Sequence, residues 1–513
     1  MVHVKFITDT FRLERILLRI SFNLVGVCLL IFTSPVGVKA QTSNEVSKLQ
    51  KEKGVPSDGT WTLERCIRHA LDSNLSIRQA AIQVTNNRNE LRQLQLSRYP
   101  TANAGSSLSL NNGRVIDPFT NTFDEQTIES NQLSLQSGAL LYGGGQLRQG
   151  IKSQEMAFEA SKEDLNSTRN NIALSIANLY LQALLAEKLE ESAVKQLEMT
   201  RAQRERIQKL VDAGALSMDN LLNIRAQESS EELSLVNARN TTTNALVNLA
   251  LQLQLPDPSS FRIKQATQFD LQAPLEIGIQ ALYAQAEQRM PELKAAQLRE
   301  KQALYGLSAA RAARYPSLRG FANMSTVYSS TNRRFLTEQP PVISGTVPVG
   351  YLENDPTQLV VRPVLNYPTE LVPRFNQWGD NLGYGFGLSL SIPIANGAQV
   401  ETQIRRATQS ATQARLQTQT ARNQLFSDVT RAFTEYRAAL ARVEANRRNL
   451  EAQRENYSFS ERRQEQGLIN PVEFTTIKNR LQIAEVNLEQ ARYEMLFRAK
   501  VIDFYLGRPI ILE

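Results

Sequence analysis

The stretch from Ile151 to Ala213 constrains this chain most, because it contains neither glycine nor proline. Apolar or small residues recur through it at alternating steps of three and four, a heptad-like helical seam. These residues are Ile172, Ile176, Leu179, Ala183, Ala186, Ala193, Leu197, Ile207 and Val211. At about 1.5 Å per residue, an unbroken helix here would be roughly 95 Å long. Such a rod does not fit an ordinary globular domain, which leaves a cytoplasmic coiled coil or a device that crosses a space of about that width.

Residues 1–40 are predicted to be a secretory signal peptide. A basic segment ends near Arg19, an apolar segment covers Ile20 to Phe32, and Val38-Lys39-Ala40 offers a small-x-small cleavage site. The alternative is a membrane anchor, but an apolar run of roughly 13 residues is short for a spanning helix. No later apolar run approaches that required length, so a mature protein in a membrane would not be there as a helix. Residues 41–60 are polar and are predicted to be an N-terminal linker.

The titratable residues count against several kinds of function. The net charge is only +7 in 513 residues, and no basic cluster alternates with aromatics, so no nucleic acid partner is predicted. Cys28 and His3 lie in the signal, which leaves Cys66 and His69 alone. A disulfide, a Cys/His metal site and a histidine-based triad therefore have no support. Without a P-loop or a Gly-x-Ser-x-Gly motif either, we expect no enzyme, no cofactor and no metal.

Two segments alternate as β-strands do. Between Thr101 and Leu141, leucine alternates with serine or glutamine on both sides of a turn-rich part, residues 111–124, which predicts two strands. Later, large apolar residues alternate with tiny or polar ones: Tyr384, Phe386, Leu388, Leu390 and Ile392 against Gly385, Gly387, Ser389 and Ser391. A sandwich strand would need a second sheet, whereas about four strands stand isolated among helices. A lipid-facing barrel strand fits this pattern better.

The chain repeats itself. Tyr99-Pro100 recurs as Tyr315-Pro316, and Gly144 and Gly214 recur at an offset of 253 as Gly397 and Gly467. Each half reads helix, strand, strand, long helix, glycine, helix. The predicted repeats are 61–274, with strands at about 101–141, and 275–513, with strands at about 317–394. Residues 329–381, an insertion rich in proline, are expected to form a long irregular exposed loop.

The four predicted strands of one chain are too few to form a closed barrel. Transmembrane barrels have at least about eight strands, and an open sheet edge in lipid leaves backbone groups unpaired. Four strands must therefore be pooled with copies of the chain, and three copies give twelve. The half-length helices predicted at 62–98 and 219–254 stack to the length of one rod, so each subunit supplies four columns. The predicted fold is mainly α with a β part: a trimeric α-barrel tunnel on a shared 12-stranded transmembrane β-barrel.

The chain resembles the TolC family of outer-membrane efflux ducts over about residues 61 to 509. Each of the motifs that carry the resemblance is short, but their duplicated order is specific. They are Tyr-Pro at 99–100 and 315–316, Leu-Ser-Leu … Gly-x-Gln at 133–146 and 388–399, Trp378-Gly379, the glycine turns at 213–217 and 466–471, and Leu506-Gly507-Arg508-Pro509. The resemblance implies a homotrimeric passive duct of a tripartite efflux or type I secretion system. Its barrel would lie in the lipid of the outer membrane and its tunnel in the periplasm, where an adaptor (membrane fusion) protein links it to an inner-membrane pump.

The resemblance also implies where the entrance lies. The turns at Gly214 and Gly467 would be the periplasmic tips, and Glu473 stands where family members carry an acidic ring. Gln464 replaces a frequent tyrosine and Ile469 an arginine of the family's closing network, so that hydrogen-bonded lock is not expected here. Asp219 and Asn220 occupy the nearby place in the first repeat. Three symmetry-related carboxylates would favour cations and could bind divalent ions. The alternative for Glu473 is an ordinary solvated glutamate in a first helical turn.

The competing function is a periplasmic coiled-coil structural protein or pump adaptor. Adaptors have shorter helical hairpins and a lipoyl-like β domain, whereas the duplicated order of rods and strands favours the duct. The sequence leaves the cargo and the class of pump open.

Overall fold

The computed structural model describes residues 60–116, 123–264, 278–352, 355–466, 468–469 and 471–508. The predicted signal peptide, linker residues 41–59 and Gly467 lie outside the described residues. The described helices and the large sheet lie within one compact unit, residues 61–513.

The first half of the described chain runs from a short strand to a long helical pair. Its elements are Thr60–Trp61 (β1), Leu63–Ser73 (α1), Leu75–Leu96 (α2), Thr101–Ile116 (β2), Phe123–Gly143 (β3), Gln146–Asp212 (α3), Met218–Gln252 (α4) and Arg262–Ile263 (β4).

The second half follows the same order with extra elements between its two long strands. They are Ile279–Arg289 (α5), Pro291–Ala312 (α6), Ser317–Ser329 (β5), Arg333–Phe335 (β6), Val342–Leu352 (β7), Asp355–Asn366 (β8), Thr369–Leu371 (β9), Arg374–Asp380 (α7), Gly383–Ser391 (β10), Gln399–Glu465 (α8) and Pro471–Tyr505 (α9). Helices α3 and α8 both have 67 residues, and α4 and α9 both have 35. The prediction of two rod-length helices, each followed by a half-length helix, is confirmed.

The predicted single helix from Thr62 to Arg98 is wrong at Asn74. This residue is extended, with ψ 130°, and its side chain accepts a hydrogen bond from the Ser76 N–H at 2.9 Å. Asn74 therefore ends α1 and caps α2, as asparagine does at a helix N-terminus. The long helix α3 begins at Gln146, directly after the glycines at 143–145, and includes Gly150.

The four long strands form one antiparallel sheet in the order β10-β5-β3-β2, so each half supplies two strands. Residues 111–124 are not a turn throughout, because β2 continues to Ile116 and β3 begins at Phe123. Within the described chain, β2 and β10 are the outer strands of this sheet and each has one unpaired edge.

The two faces of this sheet differ as predicted. Partners across the ladders, such as Leu388, Gly320 and Ala139, share a face. Exposed apolar side chains on that face are Leu108, Leu110, Tyr142, Tyr384, Phe386, Leu388 and Leu390. The opposite face carries mostly small or polar residues: Asn103, Gly105, Ser107, Ser134, Gln136, Asn323, Ser325, Gly385, Gly387 and Ser389, together with Arg319, Phe321 and Val327.

The inserted segment is ordered into strands, so the prediction of an irregular loop is wrong. Strands β7 and β8 pair as an antiparallel hairpin, and β6 pairs with β9 below it. Pro348 and Pro363 lie within the hairpin strands. Proline is tolerated there because each strand of a two-stranded ladder has a free edge where no N–H is needed. The prediction that this segment is exposed is confirmed for most of its described side chains.

Two apolar clusters lie where the half-length helices meet end to end beside a long one. The first joins α1, α3, α4, β4 and the C-terminal part of α9 around Cys66, Ile176 and Leu249, and the second joins α5, α6, α8 and α9 around Leu282 and Val429. Among the described helices, α3 alone has an 18-residue window apolar enough to cross a membrane, and 39% of that window is buried. Its packing in the first cluster accounts for this apolar composition.

Candidate functional site

The candidate site lies at the turns that end the two long helices. At the first turn, Gly214 has φ 71°, a conformation that favours glycine. Its N–H donates to the Val211 carbonyl at 2.9 Å, and the Ala215 N–H donates to the Leu210 carbonyl at 2.8 Å. These two bonds form a Schellman motif, which satisfies the last carbonyls of α3. Glycine at this position thus allows the chain to turn from α3 into α4 through a short connection.

The second turn has the corresponding backbone bond. The Leu468 N–H donates to the Arg463 carbonyl at 2.8 Å, and these residues lie 253 positions after Ala215 and Leu210. Ile469 is buried, and its counterpart Leu216 packs with Ile207, Leu221 and Ile224. Ile469 therefore contributes an apolar side chain where the family resemblance implies an arginine.

The structure brings one predicted entrance residue of the first repeat against the second repeat. Asn220 lines a cavity of about 210 Å³ between α4 and α9, opposite Thr475 and Thr476. Its side-chain amide also donates to Ser217 Oγ at 2.8 Å, which braces the first turn of α4. The other lining residues are Ile207, Asn223, Ile224, Gln227 and Asn479.

The remaining predicted entrance residues do not line this cavity. Asp219 is exposed and accepts a hydrogen bond from the Asn223 side-chain amide at 3.3 Å. Glu473 is exposed in the first turn of α9, and Gln464 is half-buried near the end of α8. Asn220 and Glu473 occupy matching positions in the two repeats, but only Asn220 lines the cavity.

A second cavity, of about 300 Å³, lies further along the same helices beside a buried polar cluster. Glu231 is buried, and its Oε1 accepts from the amides of Gln196 at 2.9 Å and Gln227 at 2.8 Å. Lys478 of α9 is also buried. Burial lowers the pKa of the Lys478 ammonium, and the nearby Glu231 carboxylate opposes this effect. Two buried residues of opposite charge, Glu231 of α4 and Lys478 of α9, thus lie near each other between these helices.

Each helical pair is held by ion pairs of its own. Arg201 joins α3 to Glu228 and Glu232 of α4, at 3.3 and 2.7 Å. In the second pair, Arg442 of α8 lies 2.8 Å from Glu494 of α9. The described contacts at the cavities between α4 and α9 are instead dominated by amides and hydroxyls. Water can hydrogen-bond these amides and hydroxyls, so it can fill the cavities between the two helical pairs.

Sequence reasoning missed the polar lining of these cavities. A signal was present, because Asn220, Asn223, Gln227 and Glu231 follow one another at helical steps on α4. Thr475, Asn479 and Gln482 do so on α9 and line the same two cavities. Within the described part of the chain, no group of three or more His, Cys, Asp or Glu side chains is placed to hold a metal ion.

Known structures share this fold. CusC, a protein that folds to form a transmembrane channel, has a TM-score of 0.69 at 17% identity, covering 87% of this chain and 92% of its own. The outer membrane protein VceC of Vibrio cholerae has a TM-score of 0.68 at 15% identity, covering 87% and 96%.

A relative and a family model agree with this likeness. SilC of Salmonella typhimurium, described as a probable outer membrane lipoprotein, is 27% identical over 279 residues, 52% of this chain and 57% of SilC. The chain thus spans little more than half the length of this relative. The family model for outer membrane efflux proteins matches residues 66–253 and 282–508, which include both turns and all four long strands. The chain belongs to the outer membrane efflux protein family.

Proposed function

We propose that this protein is the exit duct of a tripartite efflux or type I secretion system, a passive conduit across the periplasm and the outer membrane. One observation carries the proposal. A single chain of this family combines two 67-residue helices with a four-stranded sheet whose outer edges are unpaired in the described chain. A helix of that length spans roughly 100 Å. Helices cross the aqueous gap, and strands cross the lipid.

The open sheet supports a homotrimer. Each unpaired backbone group at a strand edge in lipid costs roughly several kcal/mol. The edge of β10 in one copy therefore pairs with the edge of β2 in the next. Three copies then close a 12-stranded barrel, in which the exposed face of Tyr384, Phe386 and Leu388 meets lipid. The small and polar opposite face lines the lumen.

The helical part then forms the tunnel. Each copy supplies two continuous columns, α3 and α8, and two built from half-length helices, so a trimer has twelve. We assign the columns to two repeats, 61–274 and 275–513, because the helix lengths match in pairs. Twelve columns around an axis leave an open centre, which a four-helix bundle does not.

The turns at Gly214 and Gly467 form the periplasmic entrance in this proposal. Glu473 supplies a ring of three carboxylates there, supported by its exposure in the first turn of α9. Asp219, Asn220 and Gln464 contribute to the same entrance, and Asn220 faces α9 across the 210 Å³ cavity. A periplasmic adaptor and an inner-membrane pump dock at this end and deliver the cargo.

The test is fractionation of expressing cells, followed by gel analysis with and without heating and by conductance in planar bilayers. The duct predicts an outer-membrane trimer that dissociates on heating and conducts ions. A soluble periplasmic monomer without conductance would instead support a coiled-coil structural or adaptor protein.

A further inference from the structure

We propose that the β7–β8 hairpin packs against the same hairpin in two neighbouring copies of the chain, and that the three hairpins constrict the outer mouth of the duct. This inference rests on the proposed trimer. It concerns the insertion that distinguishes the second repeat from the first.

The hairpin exposes far more apolar surface than an isolated hairpin tolerates. Tyr351 is 67% exposed and Val342 62% exposed. Its other exposed large apolar residues are Ile343, Val347, Val349, Leu359, Val360, Val361, Val364 and Leu365. A two-stranded hairpin is marginally stable in water, and a contiguous exposed apolar surface marks an interaction site. Another surface must therefore cover it.

The pairing register places the larger apolar side chains on one face, whereas the opposite face carries the smaller Val342, Val347, Val360 and Val364 beside Arg362 and Asn366. Along β8, Leu359, Val361, Pro363 and Leu365 alternate onto one face. Their partners in β7 are Tyr351, Pro348, Thr346 and Ile343. Thr346 is the single polar residue of these eight, and we call this set the apolar hairpin face. Arg362 points to the opposite face, where its partner is Val347.

The edges of the hairpin are poor sites for another strand. Pro348 in β7 and Pro363 in β8 have no N–H, and a strand proline lies where its N–H would face away from its partner. Each outer edge therefore lacks a donor that strand addition would need. Contact through the apolar hairpin face is favoured over edge-to-edge pairing.

The base of the insertion is fastened to the barrel sheet. Buried Gln377 of α7 accepts from the Ser329 N–H at 3.0 Å and donates to the carbonyls of Ser329 at 3.0 Å and Val372 at 2.8 Å. Arg374 bonds Glu129 of β3 at 2.6 Å. The insertion leaves β5 at Ser329, the end away from the helices. The base from which the hairpin extends is therefore fixed relative to the sheet.

In the proposed trimer, the surface that covers each apolar hairpin face is the same hairpin of a neighbouring copy. In a trimer, three anchored hairpins stand at one level around one axis, at a high effective concentration for one another. Residues 342–366 contain three charged residues, Glu353, Asp355 and Arg362, so most positions of the two strands carry no charge that would repel a neighbouring copy. The apolar hairpin faces can then bury one another over the exit.

The test uses adjacent positions on opposite faces. Val361→Cys places a thiol on the apolar hairpin face, and Arg362→Cys is its matched control. Background reaction is low, because Cys66 is fully buried and burial raises the pKa of its thiol to about 12, while Cys28 lies in the predicted signal. Oxidation in intact cells should cross-link Val361→Cys between subunits several-fold more than Arg362→Cys, on non-reducing denaturing gels.

A second variant replaces residues 342–366 with a short glycine linker. It should remain a trimer and conduct more than the unaltered protein in planar bilayers. If unheated trimers form but Val361→Cys is not cross-linked more than Arg362→Cys, the inference is wrong and the proposed duct still stands. This holds whether the thiol reacts with a bulky maleimide or is covered by lipid or another protein. Unchanged conductance of the shortened trimer would overturn the constriction. Absence of any trimer would overturn the proposed function as well.

Discussion

Gly144 and Tyr315 approach so closely that no side chain fits between them. A Cβ atom on Gly144 would lie 2.6 Å from the Cβ atom of Tyr315 and 2.7 Å from the Ala312 carbonyl oxygen. Gly144 also has φ 60°, in the left-handed region. Gly397, its counterpart in the second repeat, has φ 58° with open space where a Cβ would be.

Alanine at these two glycines should therefore have unequal effects. Both substitutions place alanine in the left-handed region, at a cost of roughly 1–2 kcal/mol. Gly144→Ala adds steric overlap with backbone, worth roughly another 1–3 kcal/mol. The midpoint temperature for heat dissociation of the trimer should fall clearly more for Gly144→Ala than for Gly397→Ala. Equal shifts would contradict the close approach.

Replacing Lys478 with methionine should stabilise the protein. Its pKa is lowered in the fold, so the unfolded chain binds the proton more tightly. The folded state therefore loses stability as pH falls from above the unfolded pKa to below the folded one. Lys478→Met should raise the heat-dissociation midpoint at neutral pH and flatten its rise at alkaline pH.

Lys301→Met is a control for removing a lysine charge at an exposed position of α6. It should leave both the midpoint and its pH dependence nearly unchanged. A Lys478→Met protein less stable than the unaltered one at neutral pH would mean that the ammonium has a favourable partner.

Glu473→Gln should reduce the cation selectivity of the duct. Removing one carboxylate per subunit takes three negative charges from the proposed entrance ring. The measurement is the reversal potential in planar bilayers under a salt gradient. Glu205→Gln, an equal charge change at an exposed position of α3, is the control. Selectivity that is the same in both variants would leave Glu473 as a solvated first-turn glutamate.

Gln377→Leu should increase the mobility of the inserted segment while the trimer stays assembled. The substitution leaves the Ser329 N–H and the Ser329 and Val372 carbonyls without their partner, and each unsatisfied buried group costs roughly 1–3 kcal/mol. Limited proteolysis of trimers, mapped by mass spectrometry, should show faster cleavage within residues 330–372. Gln358→Leu, at an exposed position of β8, is the control. Equal cleavage rates would show that Gln377 does not fasten the segment.

The features set by local sequence were predictable. The stretch without glycine or proline located most of α3, the internal repeat implied its counterpart α8, and alternation at Tyr384, Phe386 and Leu388 predicted the exposed face of β10. The break at Asn74 was missed, although its side chain is a good helix cap, because it lies inside a strong helical pattern. The proline content of the insertion indicated a loop, because proline is tolerated in a strand only where its N–H is not needed, and composition does not show the free edges of β7 and β8.

The cavities between α4 and α9 required the tertiary structure. Asn220 and Thr476 are remote in sequence, and each alone reads as a solvated helical residue. Only the packing of the two helical pairs brings them together. The roles of Glu473, Asp219, Asn220, Gln464 and the turns at Gly214 and Gly467 stay predictions.

The equal lengths of α3 and α8 restrict how this chain can change. One residue inserted into α3 alone would lower its tip by about 1.5 Å and rotate everything beyond it by about 100°. The apolar seam would then face solvent, and the two turns would no longer lie level. Insertions and deletions are therefore tolerable only in whole heptads and in both halves together. The lengths of the two long helices can change in evolution only as a pair.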